Sequence, residues 1–409
     1  MRKNSHFSGQ PLYGQVIKLL DKSKTLQFSR ENGGERYTKR FNCWIHLVVM
    51  LYAVIMRFDS LREITTSMLA ETRKLAHLGI SFKIGRSTLA DANKRRSEAI
   101  YESIYRDLYA TYRQVLSSDS RSGKAPKWMK RLQIIDSTTI TLFSNLLFKG
   151  VGRHPKTGRK KGGIKVHTVI HANEGVPSDI KFTSAATNDS FMLKPSTLSK
   201  GDIMAMDRAY IDYEKFEQLT RRGVIYVTKM KKNLKYKILS DAMYQTPAGL
   251  MEVRIQEVEF IKQKKGGETI HHKSRIITYA DVKKRKLISL LTNNMESDPE
   301  EVIAIYRQRW EIELLFKQMK QNFPLKYFYG ESANAIKIQI WVTLIANLLL
   351  MVMQKGLKRQ WSFSGLATMV RITLMYYVDF HSLFNNPEKE WEIILSEASV
   401  APPEPSLFD

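Results

Sequence analysis

Apolar residues recur along this chain with two different periods, and the switch between them divides it. Up to about residue 125 the pattern is helical and basic. Asn42 to Met56 is a compact apolar segment, and Ser60-Leu61-Arg62-Glu63 fits a capping box, where Ser and Glu side chains reciprocally satisfy orphan amides. A further helix is expected from near Ser87 through Lys94, Arg95 and Arg96 and along the stripe Tyr101, Tyr105, Leu108, Tyr109 and Tyr112. That stripe reads as core packing rather than a base-stacking surface. With the basic loop Lys83-Ile84-Gly85-Arg86 before it, a helix-turn-helix is possible. Ser117 to Lys127, rich in Ser, Gly and charge, reads as a linker.

From about residue 130 the period shortens to that of strands: Leu132–Phe143, Ile164–Ala172, Asp179–Ala185, Ile203–Met206 and Val224–Met230, with a helix around Tyr213–Arg222. Three strands followed by alternating helix and strand predict an α/β sheet with helices packed on it. Residues 232–297 continue with β-type alternation, as in Val253–Ile261 and Ser274–Asp281. Asp298 opens the strongest helical pattern, and helices continue to about residue 397. The expected division is a helical region over 1–125, a first α/β segment over 126–231, a β-rich segment over 232–297, a helical return over 298–345, and a C-terminal helical region over 346–409.

Charge then narrows the partner. The chain of 409 residues carries 65 Lys and Arg against 40 Asp and Glu, a net of +25. Such an excess repels itself unless a polyanion shares it, so nucleic acid is the first partner to consider. Six acids stand against Lys389 between Glu388 and Asp409, an acidic tail read as a solvated terminus. The single cysteine, Cys43, excludes an intrachain disulfide and a cysteine zinc cage, and its apolar neighbours make it a core residue. No apolar signal core follows Met1, and the run Ile340–Met353 is too short to span a bilayer. A soluble cytoplasmic protein with no membrane partner is expected.

Candidate chemistry begins with two acids on strands. Leu132 to Ile140 has the β-branched richness of a strand buried on both faces, yet holds Asp136. A carboxylate there is costly unless a cation meets it. Ile203-Met204-Ala205-Met206-Asp207 repeats the arrangement, and two acids from central strands of one sheet can converge on a metal. Each alone also fits a strand-end turn or a helix cap. The third acid lies on a helix. At about 100° per residue, Tyr306, Arg309, Glu313, Lys317 and Lys320 share about 80° of arc, with Trp310 close by. Ile305, Ile312, Leu315, Phe316 and Met319 form a separate apolar face, and Glu311 lies away from both. The spacing therefore selects Glu313 over Glu311. An ordinary charged face held by i, i+4 pairs would look similar. One acid among cations and a phenol is also what phosphoryl transfer needs.

Tyr306, Arg309, Glu313 and Lys320 match Y-x2-R-x3-E-x6-K, and the chain here resembles the bacterial insertion-sequence transposases of the IS-four-like DDE group that carry this signature. The resemblance covers roughly residues 130–345. It implies a ribonuclease H-like catalytic domain interrupted by a β-rich insertion, with helical N- and C-terminal regions. It also implies Asp136, Asp207 and Glu313 as a catalytic, metal-binding triad, and Tyr306, Arg309, Trp310, Lys317 and Lys320 as DNA contacts. Two Mg²⁺ ions, replaceable by Mn²⁺, would be the cofactor, since Mg²⁺ prefers oxygen ligands. Partners would be double-stranded DNA, namely the terminal inverted repeats and a target, and a second copy of the chain in a homodimer. The location would be the bacterial cytoplasm, at the nucleoid.

Two departures accompany the match. Arg208-Ala209-Tyr210 follows the second Asp where the family commonly has a Gly two residues on, and the insertion has no Trp to stack a flipped base. Tyr236, Tyr244, Phe260 and Tyr279 are the aromatic substitutes available there.

Other signals are weaker. Arg153, Lys156, Arg159, Lys160, Lys161 and Lys165, interleaved with glycines, suit a basic hairpin clamping phosphate, with Arg159, Lys160 and Lys161 the DNA-contact candidates. His167 and His171 would be about 13 Å apart in a strand, too far for one ion. The reading is a DNA transposase that cuts transposon ends and joins them to target DNA. The alternatives are a ribonuclease H-like structure-specific nuclease without strand transfer, and a non-catalytic basic DNA-binding regulator.

Overall fold

Local capping chemistry starts seven of the described α-helices. Asp21, Asn42, Ser60, Asp212, Asp298, Ser362 and Asp379 each accept a backbone N–H of the helix that follows, supplying one orphan donor with a partner. The computed structural model describes residues 9–117, 126–141, 163–185, 187–245, 252–263, 267–281, 285–389, 391–392 and 395. In chain order these hold α1 (Leu12–Ile17), α2 (Lys22–Glu31), α3 (Cys43–Met56), α4 (Leu61–Ala70), α5 (Thr72–Ala76), α6 (Arg86–Arg95) and α7 (Glu98–Leu116). Strands β1 (Leu132–Thr141), β2 (Gly163–His171), β3 (Pro177–Ser184) and β4 (Ile203–Met206), helix α8 (Tyr213–Arg221) and strand β5 (Ile225–Lys229) follow. Next come β6 (Lys237–Gln245), β7 (Glu252–Gln263), β8 (Thr269–Asp281) and β9 (Lys286–Thr292). Helices α9 (Pro299–Gln308), α10 (Trp310–Asn322), α11 (Ala333–Lys355), α12 (Phe363–Thr373) and α13 (Phe380–Asn385) complete the order.

The chain forms two compact units. One comprises Met1–Leu108, Gln321–Gly330 and Asn334–Asp409; the other comprises Tyr109–Lys320 and Glu331–Ala333. The second is built on a nine-stranded sheet in the order β3-β2-β1-β4-β5-β9-β8-β7-β6. β1 pairs antiparallel with β2 and parallel with β4, and β4 pairs parallel with β5. The first five strands, in the order 3-2-1-4-5 with β2 reversed, make the ribonuclease H-like arrangement. The β-rich insertion extends this same sheet, because β9 pairs antiparallel with β5. One core serves both parts: Ile135, Met204, Met206, Phe216 and Tyr226 pack in a cluster with Val258, Phe260, Ile276 and Leu291. Phe216 of α8 stacks on Tyr226 of β5 at 4.0 Å between centroids, and His272 of β8 bonds both Tyr226 and Glu217.

The helical unit is organised around α3 and α11, both almost wholly buried. α11 runs 23 residues, longer than the apolar run within it, so by length it can cross a membrane. It is instead 89% buried within the fold. Gln339 and Thr343 on it satisfy their polar groups internally, Gln339 donating to the Pro324 and Tyr327 carbonyls. Cys43 is a buried free thiol, as its apolar neighbours implied.

Three expectations need adjustment. The helix expected to run unbroken through Arg96 ends at Arg95, and Arg96 is extended (φ −70°, ψ 133°). Its guanidinium donates to the Gly34 and Phe41 carbonyls, a tertiary demand that overrides helix continuation. The capping box at Ser60 forms with one change: Ser60 Oγ accepts from Glu63 N, while Glu63 accepts from Asp59 N rather than Ser60 N. Of the aromatic substitutes in the insertion, Phe260 and Tyr279 are core residues, leaving Tyr236 and Tyr244 at the surface or half-buried.

Candidate active site

β1 and β4 run parallel in register, with Ile135 opposite Met206. Asp136 and Asp207 are the next residues on each chain segment, Asp136 within β1 and Asp207 just past the end of β4, on neighbouring strands about 5 Å apart along the hydrogen-bonding direction. Asp207 sits where a cap would be, before the 3-10 turn Arg208–Tyr210, but its side chain makes no cap hydrogen bond. The cap reading of Asp207 therefore lacks its hydrogen bond, while its strand-end position is as read.

Glu313 comes from α10. α9 and α10 meet at Arg309, whose N–H bonds the Tyr306 carbonyl three residues back, so the helical face passes through the junction nearly intact. Ile305, Ile312, Leu315, Phe316 and Met319 are buried as the periodicity required, while Glu311 is exposed. Arg309 is 14% exposed and forks between two acids: Nη1 lies 3.3 Å from Asp136 Oδ2 and Nη2 lies 2.5 Å from Glu313 Oε1. Its guanidinium also lies 5.7 Å from the Tyr306 ring centre. Lys320 reaches back to β1, donating to Thr138 Oγ1 at 2.7 Å. Lys317 is exposed, and Trp310 is 54% exposed.

Electrostatics confirm that these groups share one neighbourhood. Burial raises the Asp136 carboxyl to about 6; the Ser137 N–H and Arg309 oppose the rise, while Asp207 and Glu313 add to it. Burial likewise raises the Tyr306 phenol, and Asp207 contributes in the same direction. For Arg309, burial disfavours the charge, but the Glu313 hydrogen bond, Tyr306 and Asp136 outweigh it and raise its pKa. Two carboxylates are thus met by one guanidinium while Asp207 stands near enough to raise Asp136, so the group carries surplus negative charge. Oxygen donors with surplus negative charge suit a hard divalent cation in donor chemistry. Among the described residues, however, no three His, Cys, Asp or Glu side chains are grouped closely enough to hold one ion. Arg309 takes Asp136 and Glu313 instead.

A second network lies behind β1 and was not singled out from the sequence. Side chains alternate faces along a strand, so Ser137 points opposite to Asp136. Ser137 Oγ donates to Asp189 Oδ1 at 2.7 Å. Asp189 also meets Lys165 Nζ at 3.4 Å and lies 3.3 Å from Nδ1 of the fully buried His167, without hydrogen-bond alignment to that nitrogen. Burial alone would raise the Asp189 carboxyl; His167, Ser137 and Lys165 prevail and hold it near 2. Lys165 is therefore engaged internally, donating to the Thr187 carbonyl as well as to Asp189. His167 and His171 stand on strand β2, with His167 bonded to Thr183, in keeping with a structural role. Arg159, Lys160 and Lys161 lie outside the described residues. Asp189 gave no periodic signal; only its place just after β3 could have suggested it.

With this geometry established, similarity to known proteins becomes informative. The family described as "Transposase DDE domain" matches residues 127–349, more than half of the chain. A domain of unknown function matches residues 8–81. A chain named as a transposase in Sinorhizobium fredii is 28% identical over 270 residues, covering 66% of this chain and 71% of that one. One named for insertion sequence element IS5377 of Geobacillus stearothermophilus is 24% identical, covering 71% and 73%. One named for insertion sequence element IS4SA of Synechocystis is 24% identical, covering 70% and 76%.

Proposed function

The chain belongs to the transposase DDE domain family as an insertion-sequence transposase of the IS-four-like group, and from that membership we propose that Asp136, Asp207 and Glu313 are its catalytic, metal-binding triad. Membership implies DNA as the substrate and dependence on a divalent metal. The observation that supports the triad is Arg309 joining Asp136 of β1 to Glu313 of α10, with Asp207 one residue beyond the paired Ile135 and Met206.

Asp136, Asp207 and Glu313 would hold two Mg²⁺ ions, with Mn²⁺ able to substitute. Bound there, such ions polarise a phosphodiester and stabilise both the attacking and the leaving oxygen. Arg309 holds Glu313 and Asp136 in place and supplies positive charge next to the scissile phosphate. Tyr306, Lys317, Lys320 and Trp310 position the DNA backbone along the same helical face, and Arg159, Lys160 and Lys161 add contacts beside β1. Residues 1–125 would bind the transposon ends, and two copies would pair them. A cytoplasmic, nucleoid-associated location follows from the substrate.

The test is cleavage and joining by the purified chain on duplexes bearing the terminal repeats of its own element, with Mg²⁺. Cut ends joined into a target plasmid are expected, and Glu313→Ala should bind the same ends without cutting them. Equal cleavage in the presence of a chelator would overturn the reading.

A further inference from the structure

The helical unit holds a cleft of about 480 Å³ that none of the catalytic chemistry uses. It opens between the loop after α2 and the helix α6, within the region matched by, and just beyond, the domain of unknown function. Five cations line it, Arg36, Lys39, Arg40, Arg95 and Arg96, against the single acid Asp91.

Asp91 is already paired with Arg95. The one acid in the loop itself, Glu35, is turned inward, accepting from Ser29 Oγ at 2.7 Å and Cys43 N at 2.9 Å. Arg36, Lys39 and Arg40 are exposed and form no ion pair with a described residue.

The floor of the cleft is more informative than its charge. Arg96 is only 7% exposed. Nε donates to the Gly34 carbonyl and Nη2 to the Phe41 carbonyl, and the guanidinium lies 5.1 Å from the Phe41 ring centre. Nη1 is buried with no hydrogen-bond partner. A guanidinium so placed has a fixed plane, a whole positive charge without a carboxylate, and one donor nitrogen unused. Leaving a buried charged donor unmet is costly, and an anionic oxygen is the group that meets it.

The backbone around it is built to stay open and tight. A Cβ on Gly34 would fall 2.5 Å from Ile100 Cδ1 and 2.6 Å from Ser29 Oγ, so the loop depends on glycine there. Tyr37 stands in the left-handed region (φ 59°) and is 99% exposed, a conformation a tyrosine adopts only at an energetic cost. Its ring stands in solvent at the cation-lined cleft.

We propose that this cleft is a second DNA-backbone site, in which the enclosed charge of Arg96 attracts the backbone from beneath, Arg36, Lys39 and Arg40 neutralise neighbouring phosphates, and Tyr37 lies against sugar or base. The proposal rests on the transposase reading and assigns one chemical task to the helical unit. Sequence periodicity offered only a helix-turn-helix for this region, and the cleft joins the start of its second helix, α6, to the loop after α2.

The full chain is titrated with a random-sequence duplex over a range of salt. The variants are Arg36→Ala/Lys39→Ala/Arg40→Ala, all at exposed positions outside the core, and a charge-matched control of exposed residues, Lys22→Ala/Arg62→Ala/Arg73→Ala. The cleft triple should weaken binding about tenfold near 0.1 M salt and flatten the log–log salt slope by about 2–3, because each phosphate released contributes about 0.9. The control should change affinity by less than about threefold under the same conditions. Equal losses in both triples would overturn the site, showing only bulk charge. Unchanged binding by the cleft triple would also overturn it, while metal-dependent cleavage lost in Glu313→Ala would leave the transposase reading standing. If the unaltered chain binds no DNA, both readings fall. If the cleft triple abolishes binding to phosphatidylglycerol vesicles but leaves DNA binding intact, the surface serves a membrane and the proposal is overturned.

Discussion

Arg309 in the sheet unit and Arg96 in the helical unit are both nearly enclosed, at 14% and 7% exposure of side chain and residue respectively, yet they answer opposite needs. Arg309 faces two carboxylates with a third close by, so the surroundings of its charge are overdrawn in negative charge. Arg96 is held by two backbone carbonyls and has no acid of its own. The first centre therefore attracts cations and the second an anion, although each is organised by the same side chain. An arginine's neighbours, not its charge, decide what a site binds.

The comparison is broken most severely by removing an acid from the first centre. Asp136→Ala should lower single-turnover cleavage by about a thousandfold or more, with DNA affinity held within about threefold. Retained cleavage would mean that the acids around Arg309 are structural. The next effect concerns the charge beside Arg96. His46 is buried between Asn93 and Tyr101, and burial first, then Arg96, lowers its pKa to about 3 from 6.5. Its neutral form is the folded one, so the unfolded chain takes up more protons between those values. Stability should fall as pH drops from 6.5 toward 3, by on the order of 3–5 kcal/mol in full. His46→Gln should flatten the fall in thermal midpoint between pH 7 and pH 4; an unchanged slope would assign the effect to other groups.

A smaller effect is expected at the fork itself. Arg309→Lys keeps the charge but cannot bridge two carboxylates in one plane, so cleavage should drop about ten- to a hundredfold. A parental rate in that variant would show that charge alone suffices. Smallest is the support behind β1. The Asp189 carboxyl is held near 2 against an ordinary 3.8, so its contribution is present above 3.8 and is lost as pH falls through 2. Allowing for its partial exposure, this amounts to about 1–2 kcal/mol. Asp189→Asn should lower urea stability at pH 7 by about that amount and remove the difference near pH 2; equal stability at both pH values would sink the assignment.

Much of this molecule was legible in order of residues alone. Ile203–Met206 was read with the bounds the strand has, and Asn42 and Ser60 were in place as helix starts. The apolar side of α10 was drawn correctly, because a helix fixes which residues share a side within about four positions, and it separates Glu313 from the exposed Glu311. What the order of residues left open was every relation between distant segments. Parallel pairing of β1 with β4 set Asp136 beside Asp207, and pairing of β9 with β5 drew the insertion into the catalytic sheet. Asp189 behind Ser137 and the unmet nitrogen of Arg96 have no local signature, since each exists only once loops far apart in the chain are brought together. Local hydrogen bonding and side-chain period are written into neighbouring residues, whereas burial, register and charge compensation belong to the folded chain as a whole.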